Sequence, residues 1–288
     1  MTLRLGVSGS TILTNSEHFN RLFWNGVQHI EIGEFTDEEA FQTFMKLFKQ
    51  HSLTLGIHSP LYRNQSKNDL LQGSPIEIER AWSQLEGEAK RLSALGAQYV
   101  LIHFPFFKSE LSPEEANESI KQGLVRIRQI QQQYSIPIVC EPKLGFNRST
   151  AGINYFHHSP AELWEGIGIC LDLGDFLIAA GDRLPDYLHK WRSLIKIVHL
   201  HNVEFTADNK YWWIPVHPSH EVDGVHYRIE GILRYLAESP DITFVFEHTP
   251  QIQASEKFIQ EGCQWVQSII KGRMNRSILH AYKEEDLQ

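Results

Sequence analysis

The sequence predicts a single (β/α)8 barrel, and three observations lead to that prediction. Short apolar runs alternate with amphipathic stretches eight times along the 288 residues, as expected of alternating strands and helices. The runs are almost continuously hydrophobic, which is typical of parallel strands covered on both faces. The length suits one α/β barrel of about 250 residues, and no linker-like segment divides the chain.

Eight short apolar runs, rich in β-branched residues, define the predicted strands. Because all strands of such a barrel point the same way, the residues that follow the runs are expected to share one end of the barrel. The predicted strands are Leu3–Val7, His29–Ile32, Leu53–Ile57, Tyr99–Ile102, Ile136–Cys140, Ile167–Leu171, Ile195–Val198 and Ile242–Phe246.

The stretches between the strands predict helices, and several begin with a recognisable cap. Ser112 before Pro113 and two glutamates gives an N-cap, a proline at the first helical position and an acidic first turn. Ser159 and Pro160 repeat this pattern, and Gly96 is typical of a helix end. The predicted helices cover about residues 16–25, 37–50, 76–95, 113–134, 160–165, 175–192, 228–238 and 254–271.

An open, doubly wound sheet is the alternative architecture. That fold usually carries a GxGxxG turn after its first strand, whereas this chain has GVSGS at residues 6–10. The barrel is therefore favoured. We expect one domain over residues 1–275 and a polar C-terminal tail over residues 276–288.

Composition narrows the classes of function. The chain is 42% hydrophobic and 22% charged, as in soluble globular proteins. The lack of a signal-peptide pattern and of a long apolar run predicts a cytoplasmic protein without a membrane partner. A net charge of −8 gives no overall attraction to nucleic acid. Three cysteines suggest no disulfide framework, whereas 15 dispersed histidines call for an explanation.

Six consecutive predicted strands end in histidine or a carboxylate. Side chains at these positions meet at the mouth of a barrel, where clustered carboxylates need a counter-charge. Divalent cations supply that charge and also accept neutral imidazoles as ligands, and this mixture suits Zn, Mn, Fe or Co better than Ca. The strand-end residues are His58, His103, Glu141, Asp172, His199 with His201, and Glu247.

The order of these motifs resembles the superfamily of xylose isomerase-like TIM barrels. That superfamily includes endonuclease IV, of AP endonuclease family 2, and the sugar-phosphate isomerases and epimerases. The resemblance runs from Leu3 to about Ile270. The matching pieces are IHSPLY at 57–62, LGA at 95–97, IH at 102–103, CE at 140–141, CLD at 170–172, HLHN at 199–202 and FE at 246–247.

The resemblance implies one to three divalent metal ions. It assigns a first ion to the four residues Glu141, Asp172, His199 and Glu247. It assigns a second ion to His58 and His103, with Glu141 bridging. A third site of the endonuclease IV type would use a histidine where this chain has Asp175. His220 is similar to the histidine of the loop after strand 7, so Asp175 and His220 are candidates for an altered third site.

Two reactions are compatible with such a site. In the isomerase and epimerase branch the metal-bound glutamates also move the proton, which implies catalytic roles for Glu141 and Glu247. The chain departs from ketose 3-epimerases at Asn147 and Phe205, where that branch has Glu and Arg. An endonuclease IV-like phosphoester hydrolase is the alternative, but the segment 31–39 after strand 2 is acidic and would repel DNA. A small sugar or sugar phosphate is the favoured substrate, and a homo-oligomer is left open.

Five further residues are candidates for substrate contacts. Lys143 and Arg63 could bind a phosphate. Trp212, in the aromatic run at 211–213, could stack on a sugar or simply pack its loop. His201 and His217 lie at and after strand 7, where a loop histidine such as His217 could equally be solvated.

Overall fold

The computed structural model describes residues 4–73, 76–206, 210–239 and 241–272. Its strands are β1 Arg4–Ser8, β2 His29–Ile32, β3 Thr54–His58, β4 Tyr99–His103, β5 Ile138–Glu141, β6 Gly168–Asp172, β7 Ile195–Leu200, β8 Asn202–Phe205, β9 Tyr211–Ile214 and β10 Thr243–Phe246. All except β8 and β9 pair in parallel and close into a barrel, with β10 between β7 and β1. The predicted fold class is confirmed, and the eight barrel strands lie close to their predicted bounds.

The described residues contain eight α-helices around the barrel. They are α1 Glu38–Phe48, α2 Ile78–Ala94, α3 Pro113–Tyr134, α4 Ala151–His158, α5 Leu173–Ala180, α6 Leu184–Trp191, α7 Glu230–Leu236 and α8 Glu256–Lys271. The predicted cap of α3 is present, because Ser112 Oγ accepts from Glu115 N at 3.2 Å and the Glu115 carboxylate accepts from Ser112 N at 3.0 Å.

Three predicted helices are wrong in type or extent. Residues 16–25 contain a 3-10 helix, Ser16–Leu22, and residues 160–165 contain another, Ala161–Trp164. The stretch 175–192 divides into α5 and α6 because Gly181, at φ +53°, ends the first of them. Helix α4 was not predicted, and its start has no side-chain cap that the sequence could reveal.

Two layers of inward-facing residues fill the barrel. The lower layer holds Tyr99, Leu101, Val139, Cys170, Ile197 and Val245, apart from the larger core between strands and helices. Since side chains alternate along a strand, the residues two positions after the last five also face inward. Those residues are His103, Glu141, Asp172, His199 and Glu247, so a polar layer lies directly above an almost wholly apolar one.

The segment after β7 carries an element that was not predicted. Strands β8 and β9 form an antiparallel hairpin outside the barrel sheet. Within the described ranges, no helix is long and apolar enough to cross a membrane. The predicted tail, residues 276–288, lies outside the described residues.

Candidate active site

The polar layer brings together the strand-end residues named from the sequence. Glu141, Asp172, His199 and Glu247 each offer one ligand atom, and these atoms all lie within 4.8 Å of one another. His58 and His103 form a second such group with Glu141. Six residues from six different strands or strand ends thus converge at the carboxyl end of the barrel.

Glu141 lies between the two groups, and its Oε2 atom shows why the cluster fits a metal. The Nε2 atoms of His58 and His103 each lie 3.3 Å from that oxygen. The opposite nitrogens are hydrogen-bonded to acceptors: Nδ1 of His58 to the Ser59 carbonyl at 3.1 Å, and Nδ1 of His103 to Asn68 Oδ1 at 2.7 Å. When either imidazole is neutral, its Nε2 lone pair therefore faces a carboxylate oxygen.

When His103 is neutral, no proton lies between its Nε2 atom and Glu141 Oε2. Glu141 Oε2 is buried and accepts no hydrogen bond of good geometry from any residue in the described ranges. Burial lowers the pKa of His103 well below its usual value, so this imidazole is neutral. Burial opposes protonation of His58 too, but contact with Glu141 raises its pKa. The His103 lone pair and the buried carboxylate of Glu141 are the kind of ligands that a divalent cation takes.

Lys143 is the cation that the chain itself supplies to the cluster. Its Nζ atom lies 2.6 Å from Asp172 Oδ2, 2.6 Å from Asp175 Oδ2 and 3.1 Å from Glu141 Oε1. Burial alone would lower the pKa of Lys143, but the three carboxylates hold it well above its usual value. The structure places this predicted phosphate contact inside the carboxylate cluster, where it is already paired.

The two aspartates beside Lys143 have different protonation equilibria. Burial and the neighbouring Asp172 charge raise the pKa of Asp175 to about 7. Burial acts in the same direction on Asp172, but Lys143 and His201 outweigh it and lower the pKa of Asp172 to about 2. Asp172 is therefore the permanent anion of the pair.

Glu31 also belongs to the site, although the sequence pattern placed it on a strand without assigning it a role there. It is fully buried, and its Oε1 atom lies 2.8 Å from Nε2 of His199. The other nitrogen of His199 lies 2.6 Å from Glu247 Oε2 and 3.3 Å from Glu141 Oε1. A glutamate within the apolar run HIEI was the available signal.

The cluster opens into a cavity of about 530 Å³, a size that suits a small molecule. Its floor includes five residues of the polar cluster and Lys143, and its wall carries hydroxyl groups, Arg63, Lys67 and Trp213. Arg63 donates a hydrogen bond from its guanidinium to the Leu13 carbonyl at 2.9 Å. Lys67 pairs with Glu34 at 2.9 Å.

The predicted substrate residues are placed differently from one another. Arg63 lines the cavity, but Trp212 does not. Trp213 lines it instead, because neighbouring residues of β9 face opposite sides. His201 is fully buried beneath, with Nε2 3.0 Å from Asp172 Oδ1. His217 stacks on Phe258 of α8, with ring centroids 3.9 Å apart.

The two candidates for a third metal site are not brought into one ligand group within the described residues. Asp175 pairs with Lys143. His220 groups instead with Asp223 and His226 of its own loop. The ring centroids of His220 and His226 are 4.2 Å apart, and burial followed by the charge of His226 lowers the pKa of His220 to about 4.

Fold and site together define the class of protein: an α/β barrel with a buried histidine–carboxylate cluster at the carboxyl ends of its strands. The sequence model described as xylose isomerase-like TIM barrel matches residues 21–269. The chain therefore belongs to this family, as its motifs suggested.

Solved structures share the fold at low sequence identity. The chain is similar to the 3-keto-D-glucoside 4-epimerase YcjR from E. coli, with 14% identity, a TM-score of 0.62, and coverage of 93% of this chain and 100% of that one. D-psicose 3-epimerase from Clostridium cellulolyticum, solved with D-tagatose, shows 10% identity, a TM-score of 0.62 and coverage of 94% and 99%. A Thermus thermophilus protein soaked with zinc chloride shows 19% identity, a TM-score of 0.55 and the same coverages. Among curated proteins, none matches the chain.

Proposed function

We propose that the protein is a divalent-metal-dependent enzyme that isomerises or epimerises a small sugar or sugar phosphate by proton transfer. One observation carries the proposal: two carboxylates of a buried ligand cluster, Glu141 and Glu247, both line a cavity of small-molecule size. Two structural neighbours are named as sugar epimerases, which supports the same class of substrate.

The first metal would be held by Glu141, Asp172, His199 and Glu247, with Zn, Mn, Co or Fe as the candidate ions. When bound, such an ion acts as a Lewis acid that polarises a carbonyl or hydroxyl oxygen of the substrate.

Glu141 and Glu247 are suited to move the proton. They contact the same nitrogen of His199 from strands β5 and β10, at 3.3 and 2.6 Å. Burial would raise the pKa of Glu141, but Lys143 and His199 hold it well below its usual value, so Glu141 is a carboxylate at neutral pH. Ser8 Oγ lies 3.5 Å from Glu247 Oε1 and restrains that side chain. Each carboxylate can accept a proton from, or return it to, a substrate carbon beside the cluster.

The cavity wall supports a sugar or sugar phosphate. Trp213 offers an aromatic face to a sugar ring, and Arg63 and Lys67 place positive charge near the mouth. Lys143 instead stays with the carboxylates and keeps Asp172 and Glu141 in position.

An endonuclease IV-like phosphoester hydrolase is the second candidate, and the group of His58, His103 and Glu141 favours it by offering a second ion site. The surface after β2 argues against DNA. Glu34 lines the cavity mouth there, and Glu38 begins α1. These carboxylates neutralise Lys67 and Arg91, so this side offers no net positive charge to a phosphate backbone.

Metal analysis and proton exchange test the proposal together. Purified protein, reconstituted with Zn²⁺, Mn²⁺ or Co²⁺, is expected to retain about one ion per chain and to exchange a carbon-bound proton of a ketose or aldose with D2O. Two or three ions per chain, with cleavage of abasic-site DNA, would instead establish the hydrolase. Absence of bound metal after reconstitution would rule out both.

The substitution Glu247→Gln is expected to abolish exchange while the circular dichroism spectrum is unchanged. Glu34→Gln is the matched control, since it removes another carboxylate that lines the same cavity but belongs to neither ligand group. Equal activity in the two variants would contradict the assignment of Glu247.

A further inference from the structure

A chain of hydrogen bonds crosses the barrel interior beneath the candidate site. Thr54 Oγ1 lies 2.8 Å from His29 Nδ1, and His29 Nε2 lies 2.8 Å from the Tyr99 hydroxyl. That hydroxyl lies 2.6 Å from Glu31 Oε2, and Glu31 Oε1 lies 2.8 Å from His199 Nε2. The chain thus connects strands β2, β3 and β4 to the proposed metal ligand on β7.

Glu31 determines the direction of every proton in this chain. An ionised carboxylate only accepts hydrogen bonds, so the Tyr99 hydroxyl donates to Oε2 and His199 donates from Nε2 to Oε1. The single Tyr99 proton is then committed, and its oxygen must accept from His29 Nε2. The remaining nitrogen of His29 accepts from the Thr54 hydroxyl.

The backbone is shaped to hold this chain. A Cβ atom on Gly56, which pairs with Glu31 across β2 and β3, would lie 2.3 Å from the Tyr99 ring and 2.5 Å from its hydroxyl oxygen. A Cβ atom on Gly6 would lie 3.1 Å from the His29 ring. Since real Cβ atoms do not approach ring atoms as closely as 2.3 Å, Gly56 is required for Tyr99 to reach Glu31.

We propose that Glu31 is a positioning residue, which holds a proton of His199 on Nε2 and thereby turns Nδ1, the nitrogen that would bind a metal ion, toward Glu141 and Glu247. Histidine ligands generally donate their second N–H to a carboxylate, which fixes both the tautomer and the ring orientation. Here Tyr99 holds the carboxylate in turn by donating to its other oxygen, and His29 donates to the Tyr99 hydroxyl. The role of this orientation in metal binding rests on the proposed function, whereas the orientation itself is set by hydrogen bonds within the protein.

Three variants test the proposal by metal affinity. Glu31→Gln keeps the shape of the side chain but leaves only one amide oxygen to accept from two donors, so an NH2 group faces either Tyr99 or His199. We expect its dissociation constant for Co²⁺, measured by competition with a chelator, to rise 10–100-fold. Tyr99→Phe leaves His199 its partner, so the rise should be only a few-fold, below that range.

Glu88→Gln is the matched control. Glu88 is also a buried carboxylate, but it accepts from Ser59 and from the Leu61 backbone, and it contacts no proposed ligand. Its affinity for Co²⁺ and the visible spectrum of its Co²⁺ complex should equal those of the wild type. In Glu31→Gln the spectrum should change, because His199 reorients. An unchanged affinity and spectrum in Glu31→Gln would overturn the proposal.

A measurement on the metal-free protein separates this proposal from the proposed function. In imidazole NMR spectra of ¹⁵N-histidine-labelled protein, His199 should show a hydrogen-bonded proton on Nε2. This resonance should be lost or strongly displaced in Glu31→Gln, displaced less in Tyr99→Phe and unchanged in Glu88→Gln. Its persistence in Glu31→Gln would overturn the positioning role, even if the wild type bound metal. If Glu31→Gln does not fold, an unmoved resonance in Tyr99→Phe would overturn the proposal.

Discussion

Two clusters in this protein contain the same types of residue, histidines and carboxylates, but differ in how their charges are balanced. The barrel cluster draws Glu141, Asp172, His199 and Glu247 from four strands. The loop cluster consists of His220, Asp223 and His226, all after β9. In the loop cluster, the two nitrogens of His226 lie 2.7 Å from Asp223 and 2.6 Å from Glu204.

The difference lies in what balances the charge. Each nitrogen of His226 can donate a hydrogen bond to its own carboxylate, so the charges of Asp223 and Glu204 are balanced by His226 without a metal ion. The His220 and His226 rings are tilted against each other, with centroids 4.2 Å apart and an interplanar angle of 33°. In the barrel, by contrast, the neutral His103 turns its Nε2 lone pair toward the buried Oε2 atom of Glu141. Proximity of ligand residues is therefore a weaker sign of a metal than unshared lone pairs.

The largest expected effect on activity distinguishes the barrel cluster from the loop cluster. Asp172→Asn removes a ligand that Lys143 and His201 keep ionised, so proton-exchange activity should fall by about 10²–10⁴-fold. Asp223→Asn, the same substitution in the loop cluster, should leave metal content and activity unchanged. Metal analysis and exchange assays check both. Loss of metal from Asp223→Asn would show that the loop also holds an ion.

Replacement of Lys143 probes the charge balance of the barrel cluster. Lys143→Met leaves buried carboxylates without their internal cation, so the metal-free protein should lose about 3–5 kcal/mol in its free energy of unfolding. Added divalent metal should restore part of the loss, because it supplies the missing charge. Urea unfolding with chelator or with Zn²⁺ measures both.

Lys67→Met is the control for Lys143. Its partly exposed pair with Glu34 predicts a cost of at most about 1 kcal/mol. A cost for Lys143→Met as small as this would indicate that the carboxylates share protons instead of depending on the lysine.

The hairpin contributes to both regions, because β8 carries Glu204 to the loop cluster while β9 carries Trp213 to the cavity. Trp213→Ala should raise KM about tenfold, which corresponds to roughly 1.4 kcal/mol of binding. Trp212→Ala should leave KM unchanged, since Trp212 does not line the cavity. Steady-state kinetics decide between them, and the reverse result would restore Trp212 as the stacking residue.

The smallest effect is the pH dependence of the loop cluster. Burial opposes protonation of His226, but Asp223 and Glu204 raise its pKa. A raised pKa stabilises the fold fully below the unfolded value of about 6.5, and this contribution is lost as the pH rises through the folded value. Asp223→Asn should therefore lower the melting temperature below pH 6.5 by no more than about 2 °C. The difference should shrink at higher pH, and a difference that grew with pH would contradict the ion-pair assignment.

Most of the barrel could be predicted from sequence, because its strands are buried on both faces and read as continuous apolar runs. Elements set by tertiary packing could not. Helix α4 starts without a cap, and a Cβ atom on its Gly152 would lie 2.4 Å from the Lys143 carbonyl, so its place depends on close backbone contact. Strand β8 of the hairpin alternates polar and apolar residues over only four positions and β9 is apolar throughout, so neither was distinguished from a loop.

The strand-end residues of the site were predictable because the fold fixes where they meet. Three details were not. Glu31 contacts a partner 168 positions away, and no local pattern encodes that pairing. The choice of Trp213 over Trp212 depends on the register of the hairpin. Lys143 sits two positions after Glu141 and could be read as a free phosphate contact until its three carboxylate partners were seen.

The two layers inside the barrel also limit how this sequence can diverge. On most of the described strands the residue of the lower apolar layer does not contact a polar residue of the upper layer through a hydrogen bond. Substitutions in the upper layer could therefore change the chemistry of the site without repacking the lower layer. Strand β4 is different, because Tyr99 belongs to the lower layer yet supports Glu31 above it. A mutation of Tyr99 removes the donor to one oxygen of Glu31 and the ring for which Gly56 leaves space, so these three positions should tend to vary together among descendants of this chain.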